Sequence, residues 1–538
     1  MLGQMMDRPL LISSLLEFAV VNHPQAEIVT RRVEGDIHRC TWREVADRSA
    51  CIANALTHLG VKTGDRIGSL AWNTYRHLEL YFGVSGMGAV LHTINPRLFP
   101  EQVVWIANHA EDRFLFVDLT FLPLVDAVRS QLTTLEKVIV MADKTAMPAG
   151  RDDLVCYEDL IDSASNSFDW PALDERTAAA MCYTSGTTGH PKGVVYTHRS
   201  TVLHAMGSLH SGALSIGRDT VILPVVPMFH VNAWGTPYSA AMSGAKIVFP
   251  GAGMDGKNLH ELIESEQATL LLGVPTVWLG LLNYLDSINA KMHSVNHVVV
   301  GGSAAPLAMV RAFDEKHDAF LIHAWGMTEM SPLGTVNSPT TELMALPKEE
   351  RYKRQLKQGR PIYGVDLKII DDDGNELPRD GKAYGRLLVR GPWITSGYYK
   401  SEDRSAFVDG WFDTGDVATL DALNTMQIVD RRKDVIKSGG EWISSIDLEN
   451  IAVGHQAVKE ACVIGVPHPK WDERPILLIV LKDGASATKE DLISYVSQHI
   501  AKFWIPDDVV FVPDLPHTAT GKLHKVPLRE QYANHLMV

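Results

Sequence analysis

The densest set of anion-binding groups in the chain is YTSGTTGHPKG, from Tyr183 to Gly193. Gly186, Gly189 and Gly193 let a backbone approach an anion closely, and the hydroxyls of Thr184, Ser185, Thr187 and Thr188 can donate to it. Lys192 adds charge. The chemistry suggested is a cradle for phosphate oxygens. It is not a Walker loop, because Pro191 interrupts that spacing and Lys192 is followed by Gly193 rather than Ser or Thr. A second group, HAWGMTE (His323 to Glu329), brings an aromatic ring, a glycine, a hydroxyl and a carboxylate together. In a nucleotide site its ring and backbone would flank a base. Thr328 would meet a phosphate, and Glu329 would hold Mg²⁺, a hard cation that prefers carboxylate and phosphate oxygens. Just upstream, GGSAAP (301–306) allows close backbone approach to a flat base. GWFDTGD (Gly410 to Asp416) and LPHTATGKLHK (Leu515 to Lys525) complete the set, the latter placing Lys522 after a Thr-Gly turn.

These groups need a frame. Seven near-continuous apolar runs, RIGSLAW (66–72), RFLFVDL (113–119), KVIVMA (137–142), TVILPVVPMF (220–229), AKIVFPG (245–251), ATLLLGVP (268–275) and HVVVGGS (297–303), read as strands. Helix-length stretches follow them, which predicts α/β layers with sheets buried on both faces. After about residue 360, Asp-Gly turns join hairpin strands into a small antiparallel unit. The charged run DRRKD (430–434) then separates about a hundred residues with their own strand–helix alternation.

At 538 residues the chain exceeds one core, and 46% hydrophobic with 21% charged residues is ordinary for a globular protein. A net charge of −14 without a basic run argues against nucleic acid or anionic membrane as the main partner. Five scattered cysteines predict a reduced, cytoplasmic protein. Leu10 to Val21 reads as an amphipathic surface helix rather than a signal peptide, and no run is long enough for stable membrane insertion.

In order and spacing the four motifs resemble the adenylate-forming enzymes: acyl-CoA synthetases, luciferases and peptide-synthetase adenylation domains. The resemblance covers nearly the whole chain. It implies an α/β fold with a multi-subdomain N-terminal adenylation domain (1–430), stacked α/β layers plus a small β unit. A smaller mobile α+β C-terminal lid (431–538) would be hinged near Lys433. ATP would be held by Thr184, Ser185, Gly186, Thr187, Thr188, Gly189, Lys192, Gly302, Ser303, Ala304, His323, Trp325, Gly326, Met327, Thr328, Asp416 and Arg431. The last two would meet the ribose, and Thr184 with Glu329 would hold Mg²⁺. Lys522 would be the catalytic lysine, with His230 and Glu329 as further catalytic residues.

KSGGEWISSIDLE (437–449) resembles the thiol tunnel of the acyl-CoA synthetase branch. That implies coenzyme A contacts from Lys437, Gly439, Gly440, Glu441 and Trp442. PMFHVNAWG (227–235) would supply the acyl pocket through His230 and Trp234, with Gly301 as a further pocket residue. Amino-acid-activating relatives place an aspartate in the equivalent segment, and here Val231, Asn232, Ala233 and Trp234 offer none. Trp234 and Trp278 either shorten the pocket or are core aromatics. The whole-chain pattern most resembles ligases for 3-(methylthio)propionate, whose relatives act on short- and medium-chain fatty acids. The implied partners are a small carboxylate, ATP and coenzyme A, with a homodimer left open. The alternative is an adenylation enzyme that loads a carrier protein.

Overall fold

The computed structural model describes residues 1, 3–184, 190–438, 441–518 and 523–537, with only the backbone of Glu441 and Trp442. Among these residues the chain forms four sheets. The apolar runs become parallel strands because valine, leucine and isoleucine fill both faces at once. One seven-stranded sheet runs in the order Leu154–Cys156, Lys137–Val140, Asp112–Val117, Arg66–Leu70, Val90–Thr93, Ala178–Tyr183 and Gly193–Thr197. Its last two strands are antiparallel, with Tyr183 opposite Gly193, so the glycine-rich segment is the connection of an edge hairpin.

The second sheet has nine strands and is parallel through its centre, where Val221–Pro224, Leu270–Gly273, His297–Val300 and Phe320–Gly326 lie near one another. Helices cover the sheets, and Ile12–Asn22 packs its buried residues, among them Leu15, Leu16 and Ala19, into the shared core. Helix starts follow local chemistry: Thr41 and Glu44 form a reciprocal cap for Trp42–His58, and Pro275 opens Pro275–Ile288. Asn73, just after a strand of the first sheet, joins the two layers. Its amide donates to the carbonyls of Pro224 and Val226 (2.8 and 2.9 Å), and its Oδ1 accepts from Met228 N (2.6 Å).

The expected antiparallel unit is a five-stranded sheet, with Asp366–Ile370 paired to Tyr384–Arg390 and Trp411–Leu420 paired to Met426–Arg431. Ile436–Ser438 already belongs to the fourth sheet, which is built on the long pair Val458–His468 and Asp472–Leu481. The helices Ser445–Val453 and Lys489–Ser497 pack on it, giving the C-terminal α+β part its own hydrophobic core.

Candidate active site

The stems of the glycine-rich hairpin are tied together at Thr184 and Lys192. Thr184 N donates to Lys192 O (3.0 Å), and Lys192 N donates to Thr184 Oγ1 (3.1 Å). The Lys192 ammonium stands 4.7 Å from the Tyr398 ring centroid, and it also reaches Asp403. Tyr398 donates its hydroxyl to Glu329 Oε1 at 2.7 Å, while Tyr196 donates to Thr328 O at the same distance. Glu329 is only 6% exposed, yet it faces the same cavity as Thr184, Lys192 and Thr328. A buried carboxylate beside hydroxyls and an ammonium is a set of oxygen donors and charge suited to a polyphosphate.

Asp416, 3% exposed, accepts from Trp325 Nε1 (3.0 Å) and from Arg431 Nε (2.7 Å). Register brings the pair together, because Asp416 and Arg431 are opposite one another on neighbouring strands. A carboxylate has about four acceptor sites, so two remain for a ligand's hydroxyls.

The apolar wall is built on an uncommon backbone. After the extended His230, Val231, Asn232, Ala233 and Trp234 have φ between 47° and 57°, and Gly235 has φ of 77°. Such conformations cost L-residues about 1–2 kcal/mol each, and the surroundings hold them in place. Ala233 N donates to Pro227 O, Thr236 Oγ1 donates to Ala233 O, and Tyr81 OH meets Asn232 Oδ1. Gly235 lies against His204, which burial keeps neutral by lowering its pKa to about 3 and whose Nε2 accepts from Leu333 N. The turn aims Trp234 at Gly301, where a Cβ would come within 2.7 Å of the indole.

One cavity of about 420 Å³ joins these pieces. Leu214, Val225, Val274, Val277, Val299 and Trp234 line its apolar part, and Thr184, Lys192, Thr328, Glu329 and Arg431 its polar part. The C-terminal part contributes Lys433, Thr518, Leu523, His524 and Lys525. Lys525 is tied to Glu449 (2.7 Å) and to Ser445 Oγ. Ser445 in turn donates from N and Oγ to Asp430.

A family model for AMP-binding enzymes matches residues 16–399, and one for the AMP-binding enzyme C-terminal domain matches 447–522. The chain belongs to the AMP-binding enzyme family. Its relatives include 3-methylmercaptopropionyl-CoA ligase of Ruegeria lacuscaerulensis, 52% identical over 100% of both chains. Another is the medium-chain-fatty-acid–CoA ligase of Ectopseudomonas oleovorans, 47% identical over 100% of this chain and 98% of that one. Among solved structures, an anthranilate CoA ligase in complex with anthranoyl-AMP superposes with a TM-score of 0.87 at 26% identity, covering 99% of both chains. The AMP-binding fold is therefore the one described: a large α/β adenylation part of several sheets and a small α+β C-terminal part.

Within this AMP-binding enzyme the expected residues fall into distinct places. His230, Trp234, Gly301, Gly302, Trp325, Gly326, Met327, Thr328, Glu329, Arg431 and Lys433 line the cavity with Thr184 and Lys192. Ser303, Ala304 and Asp416 are not among its lining residues. Neither is His323: its buried imidazole meets Leu356 O at 2.9 Å and the Ser303 backbone, and burial lowers its pKa to about 4. It supports the glycine turn from behind. Trp278 is a core residue, 0% exposed, donating to Val299 O beneath the cavity wall.

Lys437 is exposed on Ile436–Ser438, its N–H donating to Glu473 Oε2 at 3.0 Å. Ser185, Gly186, Thr187, Thr188, Gly189, Gly439, Gly440 and Lys522 lie outside the described residues, as do the side chains of Glu441 and Trp442. Sequence reasoning missed Arg97, Tyr398 and Asp403. Arg97 sits in an ordinary-looking loop, and only the fold places its guanidinium over Phe229 at the cavity edge. The doubled Tyr398-Tyr399 carries no signature of its own.

Proposed function

We propose that the chain activates 3-(methylthio)propionate, or a short- or medium-chain fatty acid, for transfer to coenzyme A. It is an AMP-forming acid–thiol ligase, and ATP and coenzyme A are substrates of its family. The observation that carries the choice of acid is the cavity itself, in which polar groups suited to a polyphosphate and aliphatic side chains with Trp234 line one continuous space. A thioether is nearly as apolar as a methylene, so such a pocket suits both kinds of acid.

In the first half-reaction a carboxylate oxygen bonds to the α-phosphorus of ATP, the α–β bridging P–O bond breaks, and pyrophosphate leaves. Thr184 and Lys192 hold the departing phosphates. Asp416 and Arg431 hold the ribose, and Trp325 flanks the base. In the second, the sulfur of coenzyme A attacks the acyl carbon and AMP departs. His230 stands between acyl pocket and thiol route. Lys437, Gly439, Gly440, Glu441 and Trp442 would line that route.

Among the described residues no cluster of three or more His, Cys, Asp or Glu side chains could hold a metal. Glu329 and Thr184 therefore offer hard oxygen donors that fit Mg²⁺ only together with nucleotide oxygens. Bound there, the ion would offset phosphate charge.

Residues 431–538 act as the lid about Lys433. Thr518 and Leu523, which flank Lys522 in sequence, line the cavity, and this supports Lys522 as the group that neutralises charge between carboxylate and α-phosphate. A closed lid also keeps water from the adenylate. All five cysteines are free thiols, which fits a cytoplasmic setting. Among the described residues no helix is long and apolar enough to cross a membrane.

The deciding measurement is pyrophosphate and AMP release with a panel of carboxylates, with and without free coenzyme A. Adenylate formation without any transfer to free coenzyme A would overturn the ligase reading in favour of a carrier-protein acceptor.

A further inference from the structure

The two stems of the glycine-rich hairpin are joined a second time, from outside the hairpin. Trp105 and His109 are four residues apart on the helix Pro100–Ala110 and so share a face. The Trp105 ring stacks on His109 with centroids 4.6 Å apart and planes at 13°. It stacks on His190 with centroids 4.7 Å apart and planes at 3°. His109 Nδ1 lies 2.7 Å from the Tyr183 hydroxyl.

Tyr183 ends the strand entering the hairpin, and His190 lies on the leaving side, two residues before Lys192. The side chains Tyr183–His109–Trp105–His190 thus run from one stem to the other across a helix of the same subdomain. Lys400 reinforces the seat by donating to His109 O (3.0 Å), and Tyr399 N donates to Gly193 O (2.8 Å). Trp105 and His109 lie outside the glycine-rich motif, whereas His190 lies within it and lines the cavity, so the column couples the helix Pro100–Ala110 to the site.

We propose that Trp105, through His190 and His109, is a positioning residue that presets the distance between the two stems and hence the reach of Lys192 and Thr184 toward ATP. A preset loop binds its ligand without losing the freedom that an untethered one gives up, so the column acts on nucleotide affinity. The proposal rests on the reading of this hairpin as the ATP phosphate cradle.

Aromatic stacking of this kind has the magnitude of about a two- to tenfold change in an equilibrium constant. Trp105→Ala and His190→Ala are each expected to raise KM for ATP by about that factor. Thioester formation from a supplied acyl-adenylate and coenzyme A should change less. Trp105→Phe should restore most of the loss, and the double variant should be no worse than the poorer single, because both remove the same stack.

His190 is exposed, so His190→Ala carries the test if Trp105→Ala does not fold. An unchanged KM for ATP in His190→Ala, additive effects in the double variant, or equal losses in both half-reactions would each overturn the proposal. If the wild-type protein releases no pyrophosphate with any carboxylate, the functional reading itself fails. If it does while His190→Ala keeps its KM for ATP, only the column fails.

Discussion

Replacing Trp234 with alanine tests what sets the length of the acid. The indole lines the cavity and meets Gly301 so closely that a single added carbon there would come within 2.7 Å of it. Removing the ring leaves space in the cavity that Leu214, Val225, Val277 and Val299 also line. Each additional methylene buried there contributes about 0.8 kcal/mol, or about fourfold in kcat/KM. An acid two carbons longer should therefore gain about fifteenfold relative to the parent acid when Trp234→Ala is compared with wild type. The assay is pyrophosphate release over a homologous series of straight-chain acids, reported as ratios of kcat/KM so that any loss of total activity cancels. Gly301→Ala should act in the opposite sense by pushing the ring into the pocket. If the ratios are unchanged in both variants, the ring is structural and the pocket is bounded elsewhere.

Three further outcomes are expected. Lys522→Ala should cripple adenylation while sparing thioester formation from a supplied adenylate, and equal loss in both steps would refute the lid assignment. Glu329→Gln keeps the shape and the Tyr398 hydrogen bond but removes charge. It should lower the adenylation rate by about 10²–10³-fold, whereas a rise in KM for the acid alone would place Glu329 in the wrong role. Asp447 behaves differently, because burial and the neighbouring Asp430 push its pKa up to about 6. Its folded pKa lies above the unfolded value, so the folded state binds the extra proton and stability falls as pH rises from about 4 to 6. Asp447→Asn should flatten that slope and raise stability at neutral pH by up to about 3 kcal/mol, read from denaturation at several pH values.

The chemistry of this chain was more legible than its pocket. Glycine, hydroxyl and lysine in Tyr183–Gly193 advertise their role through residue type, and the apolar runs announce parallel strands because burial on both faces leaves no alternation to obscure them. Trp234 and Trp278 were indistinguishable as letters. Only the left-handed turn separates them, turning the first into the cavity while Trp278 packs beneath Gly273. His323 shows the reverse: the motif places it among the expected ATP-binding residues, and its buried ring meets Leu356 O. Arg97 and Tyr398 stayed hidden because their roles come from partners distant in sequence. No local spacing encodes Tyr398 on Glu329 or Arg97 over Phe229.

The left-handed segment from Val231 to Gly235 reverses the usual rules of substitution along one wall of the pocket. In strands, glycine and asparagine weaken the fold and β-branched residues are welcome. At positive φ, glycine and asparagine are the residues that relax the backbone, and valine is the one under strain. Sequence drift here follows a different currency from drift in the adjoining sheet. A change from Trp234 to glycine would enlarge the pocket and relieve backbone strain in one step, partly offsetting the packing it removes. New acid preferences can thus arise on this wall at a lower cost in stability than they would on Val225 or Val299, where every enlargement leaves only a cavity.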